Sequence, residues 1–150
     1  MSGNFGGMMG KQILLVEDDV AIMETLALFL RYEGYEVLKA RNTEEAAACI
    51  HSSQPDLVLL DYMLQDDTAE PIVKILRAQY GESVKVILLT AADDPAGKGQ
   101  AVSADAVVAK PFELDFLLET IRTCIEQGRE SRMLYAQNST ERSYSQPALL

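Results

Sequence analysis

The sequence predicts an α/β domain built on a doubly wound parallel sheet, and three observations predict it. Five short apolar runs alternate with stretches of helical periodicity, an order that places a parallel sheet between helix layers with right-handed crossovers. The runs at 12–16 and 57–60 carry almost no polar interruption, as strands covered on both faces must. Four of the five runs also lead straight into chemically active side chains: acids after the first, one acid after the third, a hydroxyl after the fourth, an amine after the fifth. In open parallel sheets, ligands bind beyond those carboxyl ends.

Taken in order, residues 12–16 are too few for a helix and too continuous for a half-exposed strand. From Val20 onward, Ile22, Leu26, Phe29 and Leu30 recur at helical spacing until Gly34 supplies a stop. Residues 36–40 give a second strand. Asn42, with Glu45 three positions later, forms a capping arrangement for an Ala-rich helix that ends before Pro55. After the strand at 57–60, Thr68 is expected to cap a third helix, Pro71 sits where its missing N–H does no harm, and Ile72, Ile75 and Leu76 form the buried stripe. Residues 84–89 are the most strand-like run and lead to Thr90; 106–109 make a fifth strand ending at Lys110-Pro111. The last helix carries Leu114, Leu117, Leu118, Ile121 and Ile125 on one face.

A chain of 150 residues suits one domain with tails. The expected divisions are a flexible leader at 1–10, a domain at 11–127 and a polar tail or helix extension at 128–150. The leader has four glycines and no basic start before an apolar run, so it does not read as a signal peptide. Hydrophobic residues at 48% and charged residues at 24% match a globular chain, with no apolar run long enough to span a bilayer. A net charge of -10 disfavours direct nucleic-acid binding, which draws on clustered Lys and Arg. Cys49 and Cys124 lack zinc-site spacing and read as apolar helix residues in a reducing, cytoplasmic compartment.

The site reading starts from crowding. Glu17, Asp18 and Asp19 follow strand one, Asp61 ends strand three, Thr90 ends strand four and Lys110 follows strand five. Carboxylates brought together repel, and each raises the others' pKa unless a cation is supplied. A hard dication with oxygen ligands resolves that conflict, Mg2+ first and Mn2+ second, with Asp18 and Asp61 as direct ligands. Phosphoryl transfer needs in-line placement and positive charge on the equatorial oxygens. Lys110 and Thr90 suit the transferred group, and Asp61 suits the role of nucleophile.

With these residues in place, the sequence resembles the response-regulator receiver family of two-component systems, in a single-domain, chemotaxis-regulator-like form. Ile13-Leu-Leu-Val-Glu-Asp-Asp19 is similar to the family's acidic turn and Pro55-Asp-Leu-Val-Leu-Leu-Asp61 to its phosphoacceptor strand. Val86-Ile-Leu-Leu-Thr-Ala91 resembles the hydroxyl-bearing strand, and Ala104-Asp-Ala-Val-Val-Ala-Lys-Pro-Phe112 the Lys-Pro segment. The resemblance covers about residues 11–127 and implies a flavodoxin-like fold with strand order 2-1-3-4-5. It implies phosphorylation of Asp61 by a histidine kinase or histidine phosphotransfer protein, with switching of a downstream protein target and self-catalysed transfer rather than enzymatic turnover. By the same resemblance Glu17 holds the cation through water, Met63 lends its backbone carbonyl, the Lys110-Pro111 bond is cis, and homodimers use the face of the fourth helix.

Four departures from the family pattern are visible. Val107 stands where an aromatic switch residue is usual, and the loop after Asp61 reads Met63-Leu-Gln-Asp-Asp-Thr-Ala69 in place of a Pro- and Gly-bearing sequence. Between Thr90 and Lys110 the interval is short, and Pro95, Gly97 and Gly99 fall where the fourth helix belongs. That helix is expected to be shortened, displaced or mobile, and the 93–103 segment to order on activation. Met63 and Ala92 cannot polarise an attacking water, so slow self-dephosphorylation is expected.

Plainer readings compete residue by residue. Asp19 suits a helix N-terminus, His51 a surface position, and Tyr62 packing beside the site. Lys98 lacks the GxxxxGK[ST] context of a phosphate loop. At the level of the chain, an Asp-based phosphohydrolase is the enzyme alternative, disfavoured because the best nucleophile follows strand three and no cap sequence exists. An unphosphorylated receiver-like interaction module is the other.

Overall fold

The computed structural model describes residues 10–64, 67–91 and 102–137, with side chains of the last helix described as far as Gln127. Residues 1–9 of the expected leader at 1–10, most of the 93–103 segment and residues 138–150 of the expected tail lie outside the described residues. Five parallel strands, β1 (Gln12–Val16), β2 (Glu36–Ala40), β3 (Leu57–Asp61), β4 (Lys85–Thr90) and β5 (Ala106–Ala109), form one sheet in the order β2-β1-β3-β4-β5. Helices α1 (Val20–Tyr32), α2 (Thr43–Ser52), α3 (Glu70–Tyr80) and a final helix (Leu114–Gln137) cover it.

The uninterrupted apolar runs are explained by two cores. Successive side chains of a strand point to opposite faces. Ile13, Leu15, Leu57 and Leu59 accordingly pack with Met23, Leu26 and Leu30 of α1 and with Leu117, Ile121 and Ile125 of the final helix. Leu14, Val16, Val58 and Leu60 face the other way, onto Ala46 and Ile50 of α2 and Ile72 and Leu76 of α3. Each fully buried Leu or Ile contributes about 1.5–3 kcal/mol relative to exposure. Because both faces are dry, the interior residues of β1, β3 and β4 are each committed to one layer or the other, whereas Lys39 in the edge strand β2 is exposed.

Local signals hold at most helix ends. Asp19 caps α1, accepting from the Ile22 amide at 3.0 Å, and Gly34 turns the chain out with φ 102°. Asn42 accepts from the Glu45 amide at 2.8 Å while Glu45 accepts from the Arg41 amide at 2.8 Å, a reciprocal cap for α2. Two details differ from the sequence expectation. The buried stripe of α1 is Met23, Leu26, Ala27 and Leu30, whereas Ile22 is exposed, because packing against the sheet centres the dry face on these four residues and leaves Ile22 at its margin. Thr68 does not cap α3; it is bridged to Met63 across the preceding loop, Ala69 occupies the N-cap position without a side-chain bond, and Pro71 lies in the first turn.

Register aligns the strand ends. Val16 pairs with Leu60 and Asp61 with Leu89, so the residues after β1, at the end of β3 and at the end of β4 emerge along one edge. At the opposite edge, Asp56 fastens β3 to β1, donating its amide to the Gln12 carbonyl and accepting the Gln12 amide on its carboxylate, both at 2.8 Å. Among the described residues no helix is long and apolar enough to cross a membrane.

Leu59→Ala is expected to lose about 2–5 kcal/mol of stability in urea unfolding, through lost transfer energy plus a cavity between β3 and the α1 layer. Leu28→Ala, on the outer face of α1 where Leu28 is 71% exposed, is expected to stay within about 0.5 kcal/mol of the parent. Equal losses for the two would refute this division into layers.

Candidate functional site

The carboxyl edge of the sheet gathers the chemistry. β1 runs directly into Glu17 and Asp18, and β3 ends on Asp61; one carboxylate oxygen from each of the three lies within 4.8 Å of the others. Glu17 is 2% exposed and Asp61 6%, while Asp18 is half-buried. Lys110, immediately after β5, reaches back to place Nζ 3.1 Å from Asp61 Oδ2 and 3.9 Å from Glu17 Oε1. Its own amide donates to the Thr90 carbonyl at 2.9 Å, and the peptide bond that follows, Lys110-Pro111, is cis.

Thr90 is the last residue of β4 and is buried at the same edge, one position beyond the Leu89 that pairs with Asp61. Met63 donates its amide to Asp61 Oδ1 at 3.3 Å, while its side chain is exposed. Glu17, Asp18, Asp61 and Lys110 are therefore brought together, and Thr90 and Met63 stand beside them. Asp19 turns away to cap α1. Tyr62 is half-buried against the α2–α3 core. His51 is elsewhere, exposed at the end of α2 with Nδ1 2.8 Å from Gln79 Oε1, and Lys98 and Ala92 lie outside the described residues.

Glu17 carries the clearest sign of a missing partner. Its Oε2 accepts the Asp19 amide at 3.1 Å, but Oε1 is buried without a hydrogen bond. Burial, followed by the charge of Asp61, pushes its pKa from 4.5 up to about 7, against the pull of the Asp19 amide and Lys110. Three carboxylates thus face one ammonium group, with an acceptor oxygen to spare. That donor set, all oxygen and negative in excess, fits a hard divalent cation. Sequence reasoning identified Glu17 as a candidate but not its degree of burial, which no local pattern signals.

A family model described as the response regulator receiver domain matches residues 13–122. The chain belongs to that family. This receiver is 36% identical over 123 residues to the phosphate regulon transcriptional regulatory protein PhoB of Pseudomonas aeruginosa, covering 80% of this chain and 54% of PhoB. It is 36% identical over 121 residues to the sensory transduction protein RegX3 of Mycolicibacterium smegmatis, covering 79% of this chain and 52% of RegX3. The receiver thus spans about half the length of these curated relatives. Among solved structures, a CheY-like receiver domain protein of Methanospirillum hungatei superposes with TM-score 0.75 at 28% identity, covering 81% of this chain and 98% of that one. The response regulator TrrA of Thermotoga maritima, solved in complex with Mg(2+)-BeF, gives TM-score 0.69 at 34% identity, covering 76% and 98%. The receiver is accordingly a two-component signalling domain with the CheY-like sheet order seen here.

Because the folded receiver holds the Glu17 proton more tightly than the unfolded chain, it binds more protons between pH 4.5 and about 7. Stability without metal therefore falls as pH rises through that window. Urea unfolding in chelator should show the difference between wild type and Glu17→Gln shifting against wild type from pH 4 to pH 8, by at most about 3 kcal/mol. A difference constant across that range would refute the assignment.

Proposed function

We propose that this receiver accepts a phosphoryl group on Asp61 in a Mg2+-dependent reaction and thereby switches its affinity for a protein partner. The observation that carries the reading is the convergence of Glu17, Asp18 and Asp61 within 4.8 Å, with Lys110 Nζ 3.1 Å from the Asp61 carboxylate. Asp18 and Asp61 would hold the cation directly, Glu17 through water, and the Met63 carbonyl would complete the protein's share. When bound, the cation neutralises the acidic edge and supplies positive charge to the phosphoryl oxygens. The description of TrrA as a complex with Mg(2+)-BeF supports this choice of ion.

In the proposed reaction an Asp61 carboxylate oxygen attacks phosphorus in line. The bond to the donor breaks, the departing group keeps the electron pair, and an acyl phosphate remains on Asp61. Lys110, already paired with Asp61, moves its charge onto a phosphoryl oxygen, and the buried Thr90 hydroxyl offers a donor to another. The phosphohistidine of a kinase or phosphotransfer protein is the proposed source, in the cytoplasm. Residues 11–127 form the proposed functional unit, and its net acidity makes a protein, not DNA, its direct target. The relatives named as transcriptional regulators are longer chains, so any output beyond the receiver is likewise a proposal.

Incubation with a small acyl-phosphate donor and Mg2+ should add one phosphate by intact mass, lost in Asp61→Asn and lost on chelation. A protein that stays unmodified while folded would favour the unphosphorylated interaction module, and rapid continuous release of inorganic phosphate would favour a phosphohydrolase. Loss of the Lys110 charge in Lys110→Ala should slow phosphorylation by about 10²–10³-fold, as for removal of an oxyanion donor.

A separate expectation concerns lifetime. Neither Met63 nor Ala92 has a side chain that orients water, so the phosphoryl group should persist for minutes or longer once donor is removed. A half-life of seconds, followed by intact mass, would overturn this.

A further inference from the structure

β5 is the sheet's least self-sufficient strand. It has four residues, pairs only with β4, and reads Ala106-Val-Val-Ala109. A slip of two residues along β4 would keep each side chain on its own layer and exchange only Ala with Val within that layer. Such a slip would move Lys110 by about 6–7 Å and break its 3.1 Å contact with Asp61. The register seen, Ile87 with Ala106 through Thr90 with Ala109, needs a determinant outside the strand's own pattern.

Asp105 supplies it. Its amide donates to the Val86 carbonyl and its Oδ2 accepts the Val86 amide, both at 2.8 Å, so one residue grips both backbone groups of another. The same Oδ2 accepts from Arg77 Nη2 at 3.1 Å. Arg77, in the last turn of α3, is the common donor for the surrounding turns: Nη1 donates to the Gly81 carbonyl at 3.1 Å and the Val84 carbonyl at 2.8 Å, and Nη2 to the Ser103 carbonyl at 3.1 Å. Lys85 Nζ stands 3.8 Å from the other Asp105 oxygen. Ser103 has φ 60°, a left-handed conformation unfavourable for a residue with a side chain, and its carbonyl is one of those Arg77 holds.

We propose that Arg77 is a positioning residue for Lys110: through Asp105 and Ser103 it sets the starting point of β5, and so the register that delivers Lys110 to Asp61 at the far end of the strand. The planar fork of Arg suits this, because donors on two nitrogens serve four acceptors, two in the turn between α3 and β4 and two in the turn before β5. Lysine at that position retains charge but has no fork. The link to phosphorylation rests on the function proposed above; the link to register does not.

The test uses the full chain with Arg77→Lys, Arg77→Gln and Asp105→Asn, each studied well below its own Tm. Interstrand amide contacts by NMR should show Ala106 opposite Ile87 and Val108 opposite Leu89 in wild type, and weakened or shifted pairing confined to β4–β5 in both Arg77 variants. Initial phosphorylation by a small acyl-phosphate donor should fall on the order of 10- to 100-fold, the cost of misplacing a reacting group by about 1 Å, with Mg2+ binding retained because Lys110 holds no metal. A merely structural role would lower Tm while leaving both pairing and rate intact in the folded variants, and that result overturns the proposal. If the Arg77 variants fail to fold, Asp105→Asn, which keeps an acceptor for the Val86 amide and loses the ion pair, decides by the same readouts. A wild type that takes no phosphate would sink the function reading alone, while the NMR comparison still judges the register.

Discussion

Carboxylates from two strands cannot share a dry edge without positive charge between them, and the geometry of this receiver follows from meeting that condition. Glu17 and Asp61 are almost fully buried, Asp18 closes the cluster, and among the described residues the ammonium group paired with these acids belongs to Lys110. One buried oxygen of Glu17 lacks a hydrogen bond. Such an atom costs free energy in the resting fold. On the proposed function, a cation bound at this edge would turn that cost into affinity, linking the stability of the edge to its ligand.

The remainder of the fold serves to hold four strand ends in line. Two apolar layers fix β1, β3 and β4 from both faces, and side chains packed at interior density leave them no freedom to slide. β5 lies at the sheet's margin and has only small residues, so its placement depends on polar fasteners at its entry. Asp56 and Asp105 act alike here: each precedes a strand and clasps the backbone of a neighbour. Arg77 then ties the second clasp to α3, making a helix far from the acids a determinant of where the lysine arrives.

The family resemblance and the departures from it concern different parts of the molecule. The acid, hydroxyl and amine positions resemble the receiver pattern, and the fold sets them at one edge. Val107, which stands where the family usually has an aromatic, lies opposite Leu88 and packs against the α2–α3 core.

The alternation of apolar runs with helical periodicity determined the sheet, the two layers and the strand bounds to within a residue, because burial on both faces leaves a mark on nearly every position. The polar residues following those runs were equally legible, as was the α2 cap at Asn42 and Glu45. What depended on tertiary structure was everything set by partners distant in sequence. The phase of α1 that exposes Ile22, the failure of Thr68 to cap α3, the burial of Glu17 and the Arg77–Asp105 clasp leave no periodic trace, since each arises where separate segments meet. Periodicity reports which face of an element is dry; only the assembled chain decides which polar atoms are left facing one another.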